Sequence, residues 1–352
     1  MKRSELILIN IISTQANRKR ITGPKKVFDN ACKGLDRMGV KYVLNKPLNE
    51  YKYNWIHDDS KAIIEAGFLN KPVLVGPNIV VLPKDLPRLR KSLHPNSIYL
   101  YPSHWVVDMW EQSGFKECKM ATWPVGIDLD AFALQKRTHS DSNKALVYFK
   151  QRNKRTLNDV NEILKNKNIE YKVLYYGFYS EKEYKETLMG PKLCIWIGCS
   201  ESQGVALQEA LATGIPMIVL DAESLSDAVS ENKKGYFDYK VPKELNNIKT
   251  SSAPYFDDRC GLKINNISQL SNSIDYVLTN IDIFRPRDYI KENLSLEAAS
   301  KSLVDKFNYL DTDQKTNSYD YKIVSRYLYY LDLIGKGWFY RWLLFKLKNL
   351  MK

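Results

Sequence analysis

Residues 193–220 constrain the fold of this chain more than any other segment. Two apolar runs flank a loop that contains Gly204, and strong helix formers fill Val205–Ala212 between them. Gly214 is placed to end that helix, and Pro216 prevents its continuation. The order predicts a buried strand, a glycine loop, a short helix and a second strand, which is typical of a parallel α/β sheet.

Two glutamates lie within this segment, Glu201 in the loop and Glu209 in the predicted helix, with seven residues between them. A helix N-terminus that is reached through a glycine attracts anions, because its first N–H groups have no partner within the helix. Carboxylates beside it accept hydrogen bonds from hydroxyl groups. A phosphate next to a polyol describes a nucleotide sugar. The alternative for Glu209 is a solvated position on an amphipathic helix.

The segment resembles the Glu-x7-Glu signature of retaining GT-B glycosyltransferases, the large family four group. The chain has Glu-Ser-Gln-Gly and then Gln-Glu-Ala-Leu-Ala-Thr-Gly-Ile-Pro. Residues 123–132 are similar to the family's Pro-Asn-Gly-Val-Asp-x-x-x-Phe segment, and residues 146–152 to the first strand of its second domain. The resemblance covers most of residues 1–310. It implies a GT-B fold, in which two Rossmann-like doubly wound α/β domains face each other across a cleft.

The resemblance also implies a donor site on the second domain. Glu209 matches the glutamate that binds the ribose hydroxyls, and Glu201 matches the one that lies near the donor sugar. The backbone amides of Ser202, Gln203 and Gly204 are expected to face the sugar and the phosphate. Family members often have Gly-Phe where this chain has Ser-Gln, so contacts to the donor sugar are expected to differ here.

A cationic group follows the first predicted strand of the second domain. Arg152 matches the arginine of the family's Gly-Arg pair, which holds the donor diphosphate and stabilises the departing charge. Lys150 and Lys154 lie near it in sequence, although neither has the spacing of the family's lysine. On the first domain, Gly23 resembles the family's glycine loop, which faces the donor phosphate. The alternative is that residues 150–155 form an ordinary basic loop.

Candidate residues on the first domain follow its predicted strands. His57 ends a short strand, and we expect it to point into the cleft, where it would bond the transferred sugar or orient the acceptor. Asp58, Asn78 and Ser103 are expected to line the acceptor side. Each of these residues, taken alone, has a purely structural alternative.

No metal and no cofactor are expected, apart from the nucleotide diphosphate sugar as donor substrate. Asp128-Leu129-Asp130 spells a D-x-D triplet, but it lies in the segment that leads into the second domain, and we interpret it as structural. Two carboxylates in one loop are weak evidence for magnesium. Arginine and lysine side chains with a helix dipole are expected to take its place.

The alternation of apolar strands and amphipathic helices occurs twice. It predicts an acceptor-side domain over residues 1–135 and a donor domain over 144–295, joined by a polar linker at 135–143. A closing helix over 296–310 is expected to return toward the first domain. Residues 311–352 form a basic amphipathic C-terminal extension.

Composition limits the partners. The net charge is +13, yet no nucleic-acid-binding motif is present, so nucleic acid is not expected as a partner. No apolar run reaches the roughly 18 residues that a membrane span requires. Five cysteines without metal spacing predict reduced thiols and a cytoplasmic protein. Residues 337–352 combine aromatic residues with Lys and Arg, which suits a helix on the cytoplasmic face of an anionic membrane; docking on protein is the alternative.

The sequence therefore predicts a metal-independent, retaining hexosyltransferase-type enzyme that acts on a saccharide or lipid-linked acceptor in glycan synthesis. Two other functions stay open at this stage. A sugar-nucleotide epimerase on the same fold would use the same phosphate site. A non-catalytic GT-B scaffold would need neither the two glutamates nor the arginine.

Overall fold

The computed structural model describes residues 7–79, 87–139, 141–150, 152–225, 245 and 247–310. The predictions made for the C-terminal extension, and for its basic segment 337–352, lie outside the described residues. None of the helices in the described ranges has the length and apolar character that crossing a membrane would require.

The first domain is a parallel sheet of six strands with helices on its faces. Its strands and helices are β1 Leu8–Ile12, α1 Gly23–Arg37, β2 Lys41–Leu44, β3 Tyr53–Ile56, α2 Ser60–Phe68, β4 Leu74–Val75, α3 Pro87–Arg90, β5 Ile98–Tyr101, α4 His104–Gln112 and β6 Lys119–Thr122. The strand order is β2-β1-β3-β4-β5-β6, and every neighbouring pair is parallel. Separate apolar clusters fill the two faces of this sheet, as a doubly wound arrangement requires.

The second domain repeats the plan with five parallel strands. Its elements are β7 Lys144–Phe149, α5 Lys154–Asn166, β8 Glu170–Tyr175, α6 Glu181–Thr187, β9 Leu193–Ile197, α7 Val205–Ala212, β10 Met217–Leu220, β11 Gly261–Ile264, α8 Leu270–Thr279 and α9 Pro286–Leu294. The order is β11-β10-β9-β7-β8. The predicted α/β fold with two Rossmann-like sheets is confirmed.

Side chains that cap helices explain where several helices begin. The Thr22 hydroxyl accepts from the Lys25 N–H at 3.3 Å at the start of α1, and the Asn153 side chain accepts from the Arg155 N–H at 2.9 Å at the start of α5. Ser180 begins α6 in the same way. Each cap satisfies a backbone N–H that has no partner within its helix.

A final helix, α10 Leu296–Phe307, packs against α1 of the first domain. Gly34 of α1 makes this close approach possible, since a Cβ there would lie 2.2 Å from the Ser300 hydroxyl. The Trp123 indole N–H donates to the Ala299 carbonyl at 2.9 Å. The end of the described chain therefore returns to the domain in which the chain began.

The chain passes between the domains at two adjacent segments. The first follows Trp123 and the second precedes α10. The Ile127 N–H donates to the Leu294 carbonyl at 2.7 Å, and a Cβ on Gly126 would lie 2.6 Å from the Leu296 Cα. The two crossings are thus held side by side.

The segment expected to be a polar linker, residues 135–143, is fastened to the second domain. The Arg137 guanidinium donates to the carbonyls of Pro191 at 2.7 Å, Thr213 at 2.8 Å and Leu188 at 2.9 Å. Burial lowers the pKa of Arg137 to about 10. A buried cation with these three acceptors fixes the path of the segment over the sheet.

The strand order locates the natural ligand position in each domain. In the first sheet β1 lies between β2 and β3, and in the second sheet β7 lies between β8 and β9, so the order reverses at β1 and at β7. Open α/β sheets bind ligands at the carboxyl ends of the strands beside such a reversal. A ligand site is therefore expected at the loops that follow β1, β3, β7 and β9.

Candidate functional site

The glycine loop and the short helix of the second domain form as the sequence predicts. Gly204 has φ +82°, a left-handed conformation that glycine adopts at low cost, and α7 begins at the next residue. All residues of this helix from Leu207 to Ala212 are buried, and Glu209 is one of them. Because an unpaired buried carboxylate is costly, Glu209 needs a partner.

That partner comes from the other domain. The Lys26 ammonium on α1 is 2.9 Å from both carboxylate oxygens of Glu209, and it is 2.7 Å from Glu181 at the start of α6. Burial raises the pKa of Glu209 to about 7, and the Lys26 charge offsets part of that effect. Although burial opposes it, attraction to Glu209 and Glu181 raises the pKa of Lys26. The solvated alternative for Glu209 is therefore wrong.

Glu201 is held in a similar way by Lys150, which directly follows β7. The Lys150 ammonium lies 2.6 Å from the Glu201 carboxylate and 4.5 Å from the centre of the Tyr176 ring. Although burial opposes it, the Glu201 charge raises the pKa of Lys150. The Trp105 indole of the first domain donates to the Glu201 carbonyl at 2.9 Å, so the Glu201 loop of the second domain also contacts the first domain.

The two remaining candidate cations, Arg152 and Lys154, have different surroundings. The Arg152 guanidinium is half-buried and donates to the Gly198 carbonyl, which follows β9, at 3.0 Å. Lys154 is the first residue of α5 and is exposed. Of the two candidate lysines, Lys150 is therefore the one in contact with the Glu-x7-Glu segment.

The two residues that depart from the family pattern differ in burial. They are Gln203, which is buried, and Ser202, which is exposed. The Gln203 side chain is buried and makes two bonds to the Val125 backbone, accepting at 3.0 Å and donating at 2.8 Å. It also donates to the Gln208 side chain at 2.9 Å. Gln203 thus connects the loop to the segment that joins the domains, while the Ser202 side chain is exposed.

The sequence predicted that His57 points into the cleft, but the structure buries this side chain within the first domain. Its side chain is 0% exposed, and both ring nitrogens have partners in the first domain: Nδ1 lies 3.1 Å from the Ser13 hydroxyl and Nε2 lies 2.9 Å from the Asn78 amide nitrogen. The rings of Phe28 and Trp55 pack against it. This surrounding gives His57 a structural role at the ends of β1 and β3, because neither nitrogen is open to a substrate.

Asp58 completes this network rather than lining an open acceptor surface. Its carboxylate accepts from the Ser13 hydroxyl at 3.0 Å, the Thr14 N–H at 2.8 Å, the Thr14 hydroxyl at 2.6 Å and the Gln15 amide at 2.5 Å. Although burial acts in the opposite direction, bonds from His57, Thr14 and Gln15 hold the pKa of Asp58 well below its usual range. The carboxylate therefore organises the loop that follows β1.

We expect Asp58→Asn to lower the free energy of unfolding by about 2–3 kcal/mol, because an amide cannot accept all of these bonds. A carboxyl group with a lowered native pKa stabilises the fold above about pH 4, and that stabilisation is lost as the pH falls further. The deficit, measured by urea denaturation, should therefore shrink below pH 4. Asp108→Asn, at an exposed position of α4, is the matched control. Equal stability of the two variants at pH 7 would contradict the role given to Asp58.

The remaining first-domain candidates are Asn78, Ser103 and Gly23. Asn78 is half-buried and is engaged with His57. Ser103 is buried at the start of α4, and its hydroxyl is without a hydrogen-bond partner within the described ranges. Gly23 is exposed at the start of α1, three residues before Lys26. Gly23 and Ser103 are both close in sequence to contacts with the second domain, through Lys26 and through Trp105 respectively.

The carboxylates of the D-x-D triplet pair with cations of α1. Asp128 is buried and bonded to Lys33 of α1, and Arg37 bridges Asp128 at 2.9 Å and Asp130 at 2.5 Å. Although burial opposes it, the two cations lower the pKa of Asp128. The described residues contain no cluster of three or more His, Cys, Asp or Glu side chains that could hold a metal ion.

Sequence reasoning missed three residues around Glu209. Lys26 was treated only as a helix residue, although it follows the Gly-Pro pair by one turn. Glu181 begins α6, and Tyr179 lies just before it, with its hydroxyl 2.8 Å from that of Tyr148. These contacts span up to 183 positions in sequence, so no local pattern marks them.

These features define the class of protein: two Rossmann-like domains with paired glutamates and cations at their junction form a GT-B protein. Solved structures of this fold are similar over nearly the whole chain. Sucrose-phosphate synthase from Thermosynechococcus elongatus has a TM-score of 0.52 at 11% identity, covering 88% of this chain and 100% of its own. HepE from Anabaena, in complex with UDP and glucose, has a TM-score of 0.52 at 9% identity, covering 86% and 100%. The lipopolysaccharide outer core galactosyltransferase WaaB has 0.52 at 10% identity, covering 85% and 98%.

The second domain is similar to a known family. Residues 129–246 match the family described as glycosyl transferases group 1. A comparison with curated proteins gave no match. The matched segment contains both glutamates, Lys150 and Arg152, so the site described above lies within the part of the chain that is similar to group 1 glycosyltransferases.

Proposed function

We propose that this chain transfers a hexosyl group from a nucleoside diphosphate sugar to a saccharide or lipid-linked acceptor, with retention at the anomeric carbon and without a metal. The observation that carries the proposal is the arrangement of Glu201 and Glu209. Each carboxylate lies beside a lysine, within the segment that matches the group 1 family, at the carboxyl side of β9. HepE, a protein of the same fold, has been solved with UDP and glucose.

Glu209 is the residue proposed to bind the donor ribose. A carboxylate has two oxygens, and a vicinal diol can donate one hydrogen bond to each. Burial strengthens these bonds, since fewer water molecules compete for the oxygens. Glu201 would face the transferred sugar, with the backbone of Ser202, Gln203 and Gly204 completing that side.

Arg152 and Lys150 are proposed to carry the charge of the diphosphate. Breaking the bond to the anomeric carbon leaves an additional negative charge on the departing phosphate. A fixed guanidinium and ammonium stabilise this charge without reorganising at the moment of reaction. The N-terminus of α7 adds its partial positive charge at the same edge of the sheet.

The first domain is proposed to hold the acceptor and to exclude water. Closure of two domains over a donor protects an activated sugar from hydrolysis. The segment 337–352 is proposed to bind an anionic membrane surface, which would bring a lipid-linked acceptor to the site. Co-sedimentation with vesicles of phosphatidylglycerol, with and without these residues, measures that binding.

The test of the function is a transfer assay with the full chain and UDP-, GDP-, ADP- and dTDP-sugars, each offered with a panel of saccharide acceptors. We expect one donor family to be consumed and a glycoside to form, with NMR showing the donor's anomeric configuration in the product. A sugar nucleotide that is converted to its epimer would point to the epimerase alternative. Binding of none of the four nucleotides would contradict the proposal.

A further inference from the structure

The contact between Lys26 and Glu209 joins the two domains at the carboxylate that is proposed to bind ribose. The ammonium is 2.9 Å from each oxygen, so it lies midway between them on the outer side of the carboxylate. Only 5% of the Glu209 side chain is exposed. Little of this carboxylate is therefore available to another ligand while Lys26 holds it.

A ribose diol would need the same position. Two vicinal hydroxyls that donate to one carboxylate lie on its outer side, one facing each oxygen, as a two-pronged donor does. The ammonium and the diol therefore compete for Glu209. Burial of Glu209 leaves no second open face on which both could bind.

We propose that Lys26 is a latch between the domains that must leave Glu209 before the donor ribose can bind; this inference rests on the proposed function. Glu181 gives the displaced ammonium a partner, because Lys26 is already 2.7 Å from it and the Glu181 side chain is 37% exposed. Releasing the latch thus leaves the ammonium paired with Glu181 and does not leave a buried charge alone.

The latch couples donor binding to the arrangement of the domains. Lys26 belongs to α1, whereas Glu209 and Glu181 belong to α7 and α6. Whatever holds Lys26 on Glu209 lowers the affinity for the donor, and donor binding weakens that contact by the same factor. The neighbouring Lys25 takes no part, because it pairs with Asp29 of its own helix at 2.5 Å.

The experiment compares a nucleoside diphosphate with its 2′,3′-dideoxy form, which has no hydroxyl groups for Glu209. UDP, ADP and GDP are titrated by calorimetry against the full chain, and the tightest binder is used with its dideoxy form. The titrations are made at pH 8, 9 and 10, because the pKa of Glu209 is about 7 and loss of the Lys26 charge raises it. The measured quantity is the ratio of the dideoxy Kd to the ribose Kd.

We expect Lys26→Met to raise this ratio, because the ribose form no longer has to displace an ammonium. The increase is about tenfold if the latch is closed about nine-tenths of the time. Glu181→Gln is expected to lower the ratio, since Lys26 then has Glu209 as its main partner. Lys25→Met, which leaves the latch intact, should give the wild-type ratio.

An unchanged or lower ratio in Lys26→Met would overturn the latch, and so would an unchanged ratio in Glu181→Gln if Lys26→Met does not fold. A different failure belongs to the proposed function. If the wild-type chain binds none of the nucleotides, or binds the ribose and dideoxy forms equally, then Glu209 is not a ribose site and the latch falls with it.

Discussion

Glu209→Gln is expected to lower kcat/KM for transfer by about 100-fold, with most of the loss in KM. The physical reason is that the amide offers one acceptor where the carboxylate offers two, so a hydrogen bond to a charged group is lost, at about 1.5–3 kcal/mol. Ribose binds equally in the ground state and in the transition state, so the effect falls mainly on KM. Initial rates over a range of donor concentrations measure how much of the loss falls in KM and how much in kcat.

Glu186→Gln, on an exposed position of α6, is the matched control and should keep wild-type kinetics. Thermal unfolding of both variants checks that the fold is intact. Loss of kcat alone in Glu209→Gln would contradict a ribose role and would place this carboxylate nearer the reacting bond.

The pH dependence of donor affinity follows from the same residue. Because the pKa of Glu209 is raised to about 7, the carboxylate becomes protonated as the pH falls below that value and then loses acceptor capacity. Donor affinity in the wild type should therefore fall about tenfold for each pH unit below 7. The slope should be absent in Glu209→Gln, whose amide does not titrate.

Arg152→Ala is expected to lower kcat by about 100- to 1,000-fold, with a smaller change in KM. Negative charge builds up on the leaving diphosphate as the anomeric bond breaks, so the guanidinium stabilises the transition state more than the bound donor. The measurement is a single-turnover rate at saturating donor.

Lys165→Ala, at an exposed position of α5, is the control for removing a cation from the same domain. A slower single turnover in Arg152→Ala with unchanged donor affinity supports a role in the chemical step. Wild-type single-turnover rates would instead make the Arg152–Gly198 bond a purely structural one.

The sequence predicted the strands and the short helix α7 well, because apolar runs and capping residues are local signals. The helix α7 covers the predicted Val205–Ala212 and lies between two strands, β9 and β10, as predicted. The predicted closing helix over 296–310 is shorter in the structure, with α10 limited to Leu296–Phe307. Helix ends depend on individual caps and are less visible in a pattern.

The site was predicted where a motif carried it and was missed where the fold brought distant residues together. Glu201, Glu209 and Arg152 belong to one linear pattern. Lys26 reaches Glu209 only because two sheets are placed against each other, which no spacing in the sequence expresses. His57 was misjudged for the related reason that a residue at the end of a strand can face inward as well as outward.

The two crossings between the domains, held together at Ile127 and Leu294, limit how the halves can move. Because the two crossing segments are adjacent and hydrogen-bonded to each other, they act as a single hinge. One domain can rotate about this hinge, but it cannot slide along the other domain. Any opening near Lys26 is then a swing, so the displacement grows with distance from the hinge. Lys26 lies one turn of α1 before Asn30, whose side-chain amide donates to the Gly126 carbonyl at 2.8 Å, so the Lys26–Glu209 contact is close to the hinge and changes in length less than contacts farther from it.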